Sequence, residues 1–565
     1  MPPETKNCQN CKKDFIIEPE DFLFYEKIKV PPPTFCPECR LKRRLSFMNI
    51  YSLYKRICDS CGLNIISMVH KDKKQKVFCS KCWWADKWDG TEYSMDYDSS
   101  RPFLEQVEEL INKTPFMSLD STYSKLINSE YTNYTSDLKN CYLCFFVDYA
   151  ENCFYSDFVD GLKDSADCFR IKESELCYES AGLHKCYQTL FSQECDNCVE
   201  VLFSKNCSSC INCFGCMNLK KKSYCIFNQQ YSKEEYFEFM KKVNLNLYSN
   251  ILKYLEEAKA FWLTLPNRCL YTNSLNVNVV GNYAYESKNT QDAYMITSVE
   301  DSRYVQLISV PRTKDSYDYT CWGGNVERMY EVAVAGHGAS NIKFSFGNYP
   351  DSLNNEYCYY TTSCKNTFGC VNLKKKEYCI LNKQYTKDEF LKLKEEIIKN
   401  MNSNPYISKK GLVYKYGEFF PEEFSIFAYN ETMANQYFPM TKEKCEENHL
   451  KWFEPIPNEY TPTVKYSDLP NDINNSNDIL NEVIKCECGK CFRIVKGEFE
   501  LLKRLNIAIP RKCPECRRLV RFQNTLSQRL YKANCSKCGE TMDSAYAPES
   551  KEIVYCEGCY TKEVY

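Results

Sequence analysis

From the start of the sequence, cysteines come in pairs three residues apart: Cys8 with Cys11, Cys36 with Cys39, Cys58 with Cys61 and Cys79 with Cys82. Two thiolates so spaced in a tight turn point at one centre, and a second pair closes the tetrahedron that zinc takes in structural sites. Four pairs therefore predict two four-thiolate sites. The series returns at the other end of the chain, where a constant offset of 477 carries Cys11 to Cys488, Cys36 to Cys513, Cys39 to Cys516, Cys58 to Cys535, Cys61 to Cys538, Cys79 to Cys556 and Cys82 to Cys559. Phe15, Pro33, Arg40, Arg44 and Gly62 recur at the same offset as Phe492, Pro510, Arg517, Arg521 and Gly539. The module is thus duplicated, and about four zinc ions per chain are expected. Only Cys8 lacks a counterpart, because Lys485 stands at its offset with Cys486 and Cys491 on either side. Cys491 would complete that site at ordinary spacing from Cys488, and Cys486 would do so with a shorter bite; the spacing favours Cys491.

A basic cluster follows the second pair of each module: Arg40, Lys42, Arg43 and Arg44 in one copy, Arg517, Arg518 and Arg521 in the other. Residues 1–82 hold 16 Lys+Arg against 9 Asp+Glu and residues 484–565 hold 16 against 10, a joint surplus of 13 in a chain whose net charge is -2. Such asymmetry reads as a grip on RNA or DNA phosphates. A zinc ion held by four thiolates carries a net charge of about -2, however, so four sites offset about 8 of those positive charges. Three readings of the arginines stay open: contact with nucleic acid, a surface for a protein partner, or hydrogen bonds to the zinc-bound sulfurs.

Between these ends cysteines recur at nine-residue steps, as in Cys168, Cys177, Cys186 and Cys195, then Cys198, Cys207, Cys216 and Cys225. Regular spacing of this kind marks a stacked repeat. Short runs of Tyr, Phe, Val and Cys alternate with Ser, Asn, Asp and Lys, which predicts brief strands between polar turns. If nine residues make half a rung, cysteines 18 apart stack inside. Two readings of the central cysteines remain, a ladder of small buried thiols or a further metal site. The second would use Cys210, Cys216 and Cys225, and their counterparts Cys364, Cys370 and Cys379, since Cys207, Cys210, Cys213 and Cys216 follow one another at threes. That run approaches an iron-sulfur ligand pattern.

No catalytic constellation emerges. His70, His184, His337 and His449 have no sequence partner that makes a triad, and Gly336-His337-Gly338 reads as a turn. Gly323-Gly324 fits no phosphate-binding loop. Asp292, Glu300, Asp301, Asp315 and Asp318 supply carboxylates for a carbohydrate-active site, but their spacing selects no pair.

The elements that must carry these residues follow from internal repeats. Residues 214–236, FGCMNLKKKSYCIFNQQYSKEEY, return 154 positions later as FGCVNLKKKEYCILNKQYTKDEF, and each copy leads into a helix with a capping box, Ser232 with Glu235 and Thr386 with Glu389. Tyr283, Tyr294, Tyr304 and Tyr319 replace cysteine in the second copy. The expected fold is mainly β: an irregular parallel β-helix-like solenoid in two halves with helical insertions, flanked by zinc modules at both ends. The divisions are a double module over 1–90, a connecting helix over 91–120, solenoid halves over 121–230 and 267–385, a helical hairpin over 231–266, and a helix over 386–402. An aromatic-rich block over 403–453, a linker over 454–483 and the second double module over 484–565 complete the chain.

The stretches CQNCKKDFIIEPEDFLFYEKIKVPPPTFCPECR and CGKCFRIVKGEFELLKRLNIAIPRKCPECR resemble the zinc-ribbon family of treble-clef type. That resemblance implies a knuckle at the first pair, a hairpin after it, and a second pair that opens a short helix bearing the basic cluster. Over nearly its whole length the chain resembles a group of uncharacterised multi-zinc-ribbon proteins of uncultivated bacteria, through SEYTNYTSDLKNCYLCFFVDY, the CFGC-x-NLKKK-x-YC repeat, NET-x-A-x-x-YFP and VYC-x-x-CY-x-KEVY. The group lends no activity; some members carry an acyl-CoA transferase label for which no residue here speaks. With 37 cysteines in 565 residues, an N-terminus without a signal-type apolar stretch and no apolar run of about 18 residues, the expectation is a cytoplasmic zinc protein without a membrane partner. The expected role is a scaffold bound to nucleic acid or to a protein, with a carbohydrate-active or other enzyme on the solenoid face as the third alternative.

Overall fold

A computed structural model describes residues 2–273, 275–454, 460–476 and 478–564. The chain divides into two compact units, one of residues 1–119 and 271–454, the other of 120–270 and 455–565. Each unit therefore joins one terminal module to one central half, the N-terminal module to the second half and the C-terminal module to the first.

The first half is built on a step of three residues. From Tyr134 to Phe227 the backbone is left-handed at every third position, with φ between +44° and +77°. This conformation costs a non-glycine residue about 1–2 kcal/mol; Asn, Asp and Gly recur there, and no β-branched residue does. The residue after each left-handed one points inward. Every apolar member of that core, from Leu138, Cys141 and Cys144 to Cys216 and Cys225, has a number divisible by three. Four such sides make a twelve-residue step, at which the chain pairs with itself in parallel: Phe145 faces Asp157, Val199 faces Ile211 and Cys213 faces Cys225. The expected stack at 18 is thereby corrected. Nine residues are three sides of four, and cysteines stack at twelve.

The same geometry explains why cysteine is so common there. The carbonyls two residues before and nine after an inward position lie within reach of the core. A small donor there adds a second bond to a carbonyl that already accepts a backbone amide, as His184 O does from Asn197 and Cys195 O from His184. Cys186 Sγ lies 3.4 Å from both His184 O and Cys195 O, and Ser180 Oγ donates to Tyr178 O at 2.9 Å and lies 3.2 Å from Thr189 O. Cys, Ser and Thr can make these bonds, while Leu138, Leu162, Ile171 and Leu183 fill other inward positions of the same core. At Cys168, between Ser156 and Ser180 in this stack, Cys168→Ser is expected to change stability by less than about 1 kcal/mol, whereas Cys168→Leu overpacks the core and costs about 1–3 kcal/mol. Thermal melts of the two variants check this ordering.

The second half repeats the plan less regularly in a 13-stranded sheet. Its parallel steps run from 11 to 14 residues, as in Val277 to Lys288, Lys288 to Glu300, Tyr317 to Tyr330 and Val299 to Thr313. Of the four tyrosines expected to stand in for cysteine, only Tyr319 joins the inner core; Ala284, Ile296, Val305 and Met329 fill it instead. Both halves end alike, in an antiparallel hairpin (Cys225 facing Gln230, Cys379 facing Gln384) and a capped helix, Lys233–Val243 or Lys387–Ser403. Both capping boxes form as expected. A second helix, Tyr248–Trp262, completes the hairpin of the first half.

In the N-terminal module the strands Glu4–Asn7 and Asp14–Ile17 hold Cys8 and Cys11 between them, and Cys36 caps the helix Pro37–Leu45. The element between them is the helix Pro19–Lys27, not the expected hairpin, opened by Pro at its first position and acidic residues in its first turn. The aromatic-rich block is core: Phe419, Phe420, Phe424 and Phe427 are buried, with Phe419 edge-on to Phe47 at 5.4 Å. In the expected linker, residues 455–459 lie outside the described residues, and Leu469, Ile473 and Ile479 pack into the apolar core of their unit.

Candidate metal centres and the basic clusters

Four groups of cysteine sulfurs come together with all atoms within 4.8 Å: Cys8, Cys11, Cys36 and Cys39; Cys58, Cys61, Cys79 and Cys82; Cys486, Cys488, Cys513 and Cys516; Cys535, Cys538, Cys556 and Cys559. A tetrahedron with Zn–S near 2.3 Å has an edge of about 3.8 Å. Cys11 and Cys36, Cys61 and Cys79, Cys488 and Cys513, and Cys538 and Cys556 are 3.6, 3.8, 3.7 and 3.8 Å apart. The thiols are free, not disulfide-bonded. In every site the amide of the third ligand donates to the sulfur of the first: Cys36 to Cys8 at 3.3 Å, Cys79 to Cys58 at 3.2 Å, Cys513 to Cys486 at 3.3 Å and Cys556 to Cys535 at 3.2 Å. Burial raises the Cys58 and Cys535 thiols, but neighbouring amides outweigh it and bring them down to about 7 and about 6. Soft sulfur donors, tetrahedral spacing and amides aimed at sulfur fit zinc, with the four cysteines of each group as its only protein ligands.

The third group corrects the expectation at the degenerate position. Cys486, not Cys491, stands with Cys488, Cys513 and Cys516. The reason is a turn one residue shorter than its twin. Cys8 N–H reaches Lys13 O at 2.9 Å, and Cys486 N–H reaches Lys490 O at the same distance. A gap-free offset misplaces the ligand by that residue, and Cys491 falls on the returning strand opposite Lys485.

The basic clusters turn inward. On the helix Pro37–Leu45, Arg40 Nε donates to Asp318 at 2.9 Å, and Arg44 Nη1 lies 3.1 Å from Asp318 and 3.5 Å from Glu331. Arg43 bonds Glu331, pairs with Glu418 at 3.1 Å and stacks over Phe35 at 4.1 Å. All three side chains are at most 2% exposed. The C-terminal copy repeats the arrangement on the helix Pro514–Gln523, where Arg517 and Arg521 bond Asp167, and Arg517 also meets Glu498 at 3.0 Å. Asp318 and Asp167 both occupy left-handed positions of their ladders. Lys42 sits over the Tyr429 ring at 5.2 Å, and Arg518 acts on the buried Asp157. Burial dominates here: it pushes Glu331 up to about 7 despite Arg43 and Arg44, and Asp157 up to about 7 despite Arg518 and Arg521. The expectation that these residues grip phosphates is thus corrected for Arg40, Arg43, Arg44, Arg517 and Arg521. Among the described residues their hydrogen bonds go to carboxylates, to backbone carbonyls and, from Arg44, to the Thr320 hydroxyl, not to the cysteine sulfurs. Sequence reasoning missed Asp167, Asp318, Glu331, Glu418 and Glu498 as partners, since nothing local marks them.

The central cysteines form no metal group. Cys210, Cys216 and Cys225 direct their sulfurs to Leu219 O, Cys225 O and Gln230 Oε1 at 3.4 to 3.5 Å, and Cys364 and Cys370 to Leu373 O and Cys379 O at 3.4 and 3.3 Å. Cys379 lies 3.6 Å from Glu377 O. Among the described residues no further set of three Cys, His, Asp or Glu ligands converges. The expected carboxylates are dispersed: Asp292 pairs with Arg303, Asp315 with Lys27, and Asp301 accepts from Asn289. His337 lies in the turn between strands Val326–Gly336 and Ser340–Tyr349, and His184 meets Asp196 at 2.8 Å. A perturbed acidic residue is Asp148, which burial and then the charge of Asp160 push up to about 7. Among the described residues no helix is long and apolar enough to cross a membrane. Comparison with known proteins finds no family model, no curated relative and no solved structure that matches the chain.

Proposed function

We propose that the protein is a non-enzymatic, zinc-stabilised scaffold for a protein partner. In this reading each unit is a parallel β-helix-like solenoid half clamped by a double zinc module of treble-clef type, and the zinc ions hold the clamp. The observation that carries it is the burial of the arginine clusters against Asp318, Glu331 and Asp167. A residue that completes a buried ion pair is not available to a phosphate, and withdrawing it would strand a charge. Core thiols that hydrogen-bond carbonyls fit a reducing, cytoplasmic setting. A partner surface is offered by a shallow groove of about 650 Å3 along the first half, with Tyr149 63% and Tyr187 42% exposed at its sides and Lys139, Glu151 and Lys163 between.

Filter binding of the purified, zinc-loaded chain to mixed RNA and DNA at low and high salt tests the proposal. No retention beyond a neutral control protein is expected at either salt. Retention that is strong at low salt and falls steeply as salt rises would return the protein to the nucleic-acid reading, because phosphate contacts behave that way.

A further inference from the structure

The first unit contains a feature that neither zinc binding nor module docking requires. The Lys374 ammonium lies 4.8 Å from the Trp83 ring centre, 5.1 Å from Trp84 and 4.4 Å from Trp88, and it also donates to Trp83 O. Trp83 and Trp88 are fixed, their centroids 4.8 Å apart and Trp88 Nε1 donating to Trp83 O at 3.0 Å. Trp84 is 42% exposed, so one wall of the enclosure faces solvent. Asp86 and Asp89 act on the same ammonium, Asp89 while also paired with Lys376 at 2.7 Å. We propose that Trp83, Trp84 and Trp88, with Asp86 and Asp89, form an aromatic cage for a methylated or quaternary ammonium ligand, which Lys374 occupies in the free protein.

The twin unit shows that docking does not require the cage. At the offset of 477, Trp83 corresponds to Tyr560 and Trp84 to Thr561. Tyr560 meets its half through its hydroxyl, 2.9 Å from Asn218 Oδ1. The exposed Trp84 is thus additional to the shared contact. A ring face attracts any cation, but a primary ammonium is strongly hydrated and loses more on entering. Burial accordingly pulls Lys374 down to about 8 against the two aspartates. A quaternary ammonium is weakly hydrated and permanently charged, and three indole faces with nearby carboxylates are the surroundings that recognise it.

Choline titrated into the full zinc-loaded protein, followed by tryptophan fluorescence, tests this, with 3,3-dimethylbutan-1-ol as its uncharged isostere. Lys374→Ala removes the internal competitor and is expected to bind choline at least tenfold more tightly than the wild type, with no response to the alcohol. Trp84→Ala, at an exposed position, is expected to keep the wild-type fold and zinc content and to lose at least tenfold in affinity. Equal choline affinity in wild type and Lys374→Ala, equal affinity in wild type and Trp84→Ala, or an equal response to the alcohol would overturn the proposal.

Discussion

Asp318→Asn should destabilise the unit formed by residues 1–119 and 271–454 by about 3–5 kcal/mol, the range for removing one partner of a buried ion pair. Its two oxygens serve Arg40 and Arg44, both essentially without solvent contact, so the change leaves two guanidinium groups short of a counter-charge. Glu331 cannot compensate fully, because it already bonds Arg43. Asp167→Asn should do the same to the other unit, where Arg517 and Arg521 share that carboxylate. The control is Lys27→Ala: Lys27 pairs with Asp315 but is 54% exposed, and exposed pairs contribute about 0–1 kcal/mol. Urea unfolding followed by tryptophan fluorescence reads the first of these, since Trp83, Trp84, Trp88, Trp322 and Trp452 all lie in the affected unit. A loss below about 1 kcal/mol for Asp318→Asn would mean that the arginines are free to face outward.

The second large effect is that of metal removal. Apparent binding free energies of structural zinc are about 10–16 kcal/mol per site near neutral pH, comparable with the whole stability of a domain. Stripping the metal with a chelator is therefore expected to unfold both double modules. The damage should spread, because Phe35 at the second ligand pair stacks on Arg43, and Phe499, Leu502 and Ile509 of the C-terminal module belong to the core that covers the first half. Zinc release should also follow acidification, since thiolate ligands must lose their protons to bind. Circular dichroism before and after chelation, and after zinc is restored, checks this. An unchanged spectrum and melting temperature in demonstrably zinc-free protein would show that the modules fold on their apolar contacts alone.

The four-cysteine groups were legible because their signal is local: two sulfurs in a turn need only the spacing of that turn. The one error, Cys491 for Cys486, arose where the twin turns differ by a residue and an ungapped offset conceals it. The ladder was half legible. The spacings of nine and three between cysteines are both multiples of the true period, but alternation at two is the ordinary mark of a strand, and a left-handed residue at every third position breaks it. The telling signal was the phase that excludes β-branched residues while Asn, Asp and Gly recur. The fate of the arginines was not legible at all. Asp318 and Glu331 lie nearly 300 residues from Arg44 in sequence, so an exposed basic helix and a buried clamp look alike until the fold brings those carboxylates to it.

The most direct measurement is zinc per chain by elemental analysis of purified protein, taken together with two single variants. Four ions are expected for the wild type and for Cys491→Ser, and three for Cys486→Ser, because only Cys486 belongs to the third sulfur group. A wild-type value near two would contradict the duplicated double module on which the clamp depends, and loss of one ion from Cys491→Ser with none from Cys486→Ser would contradict the third sulfur group.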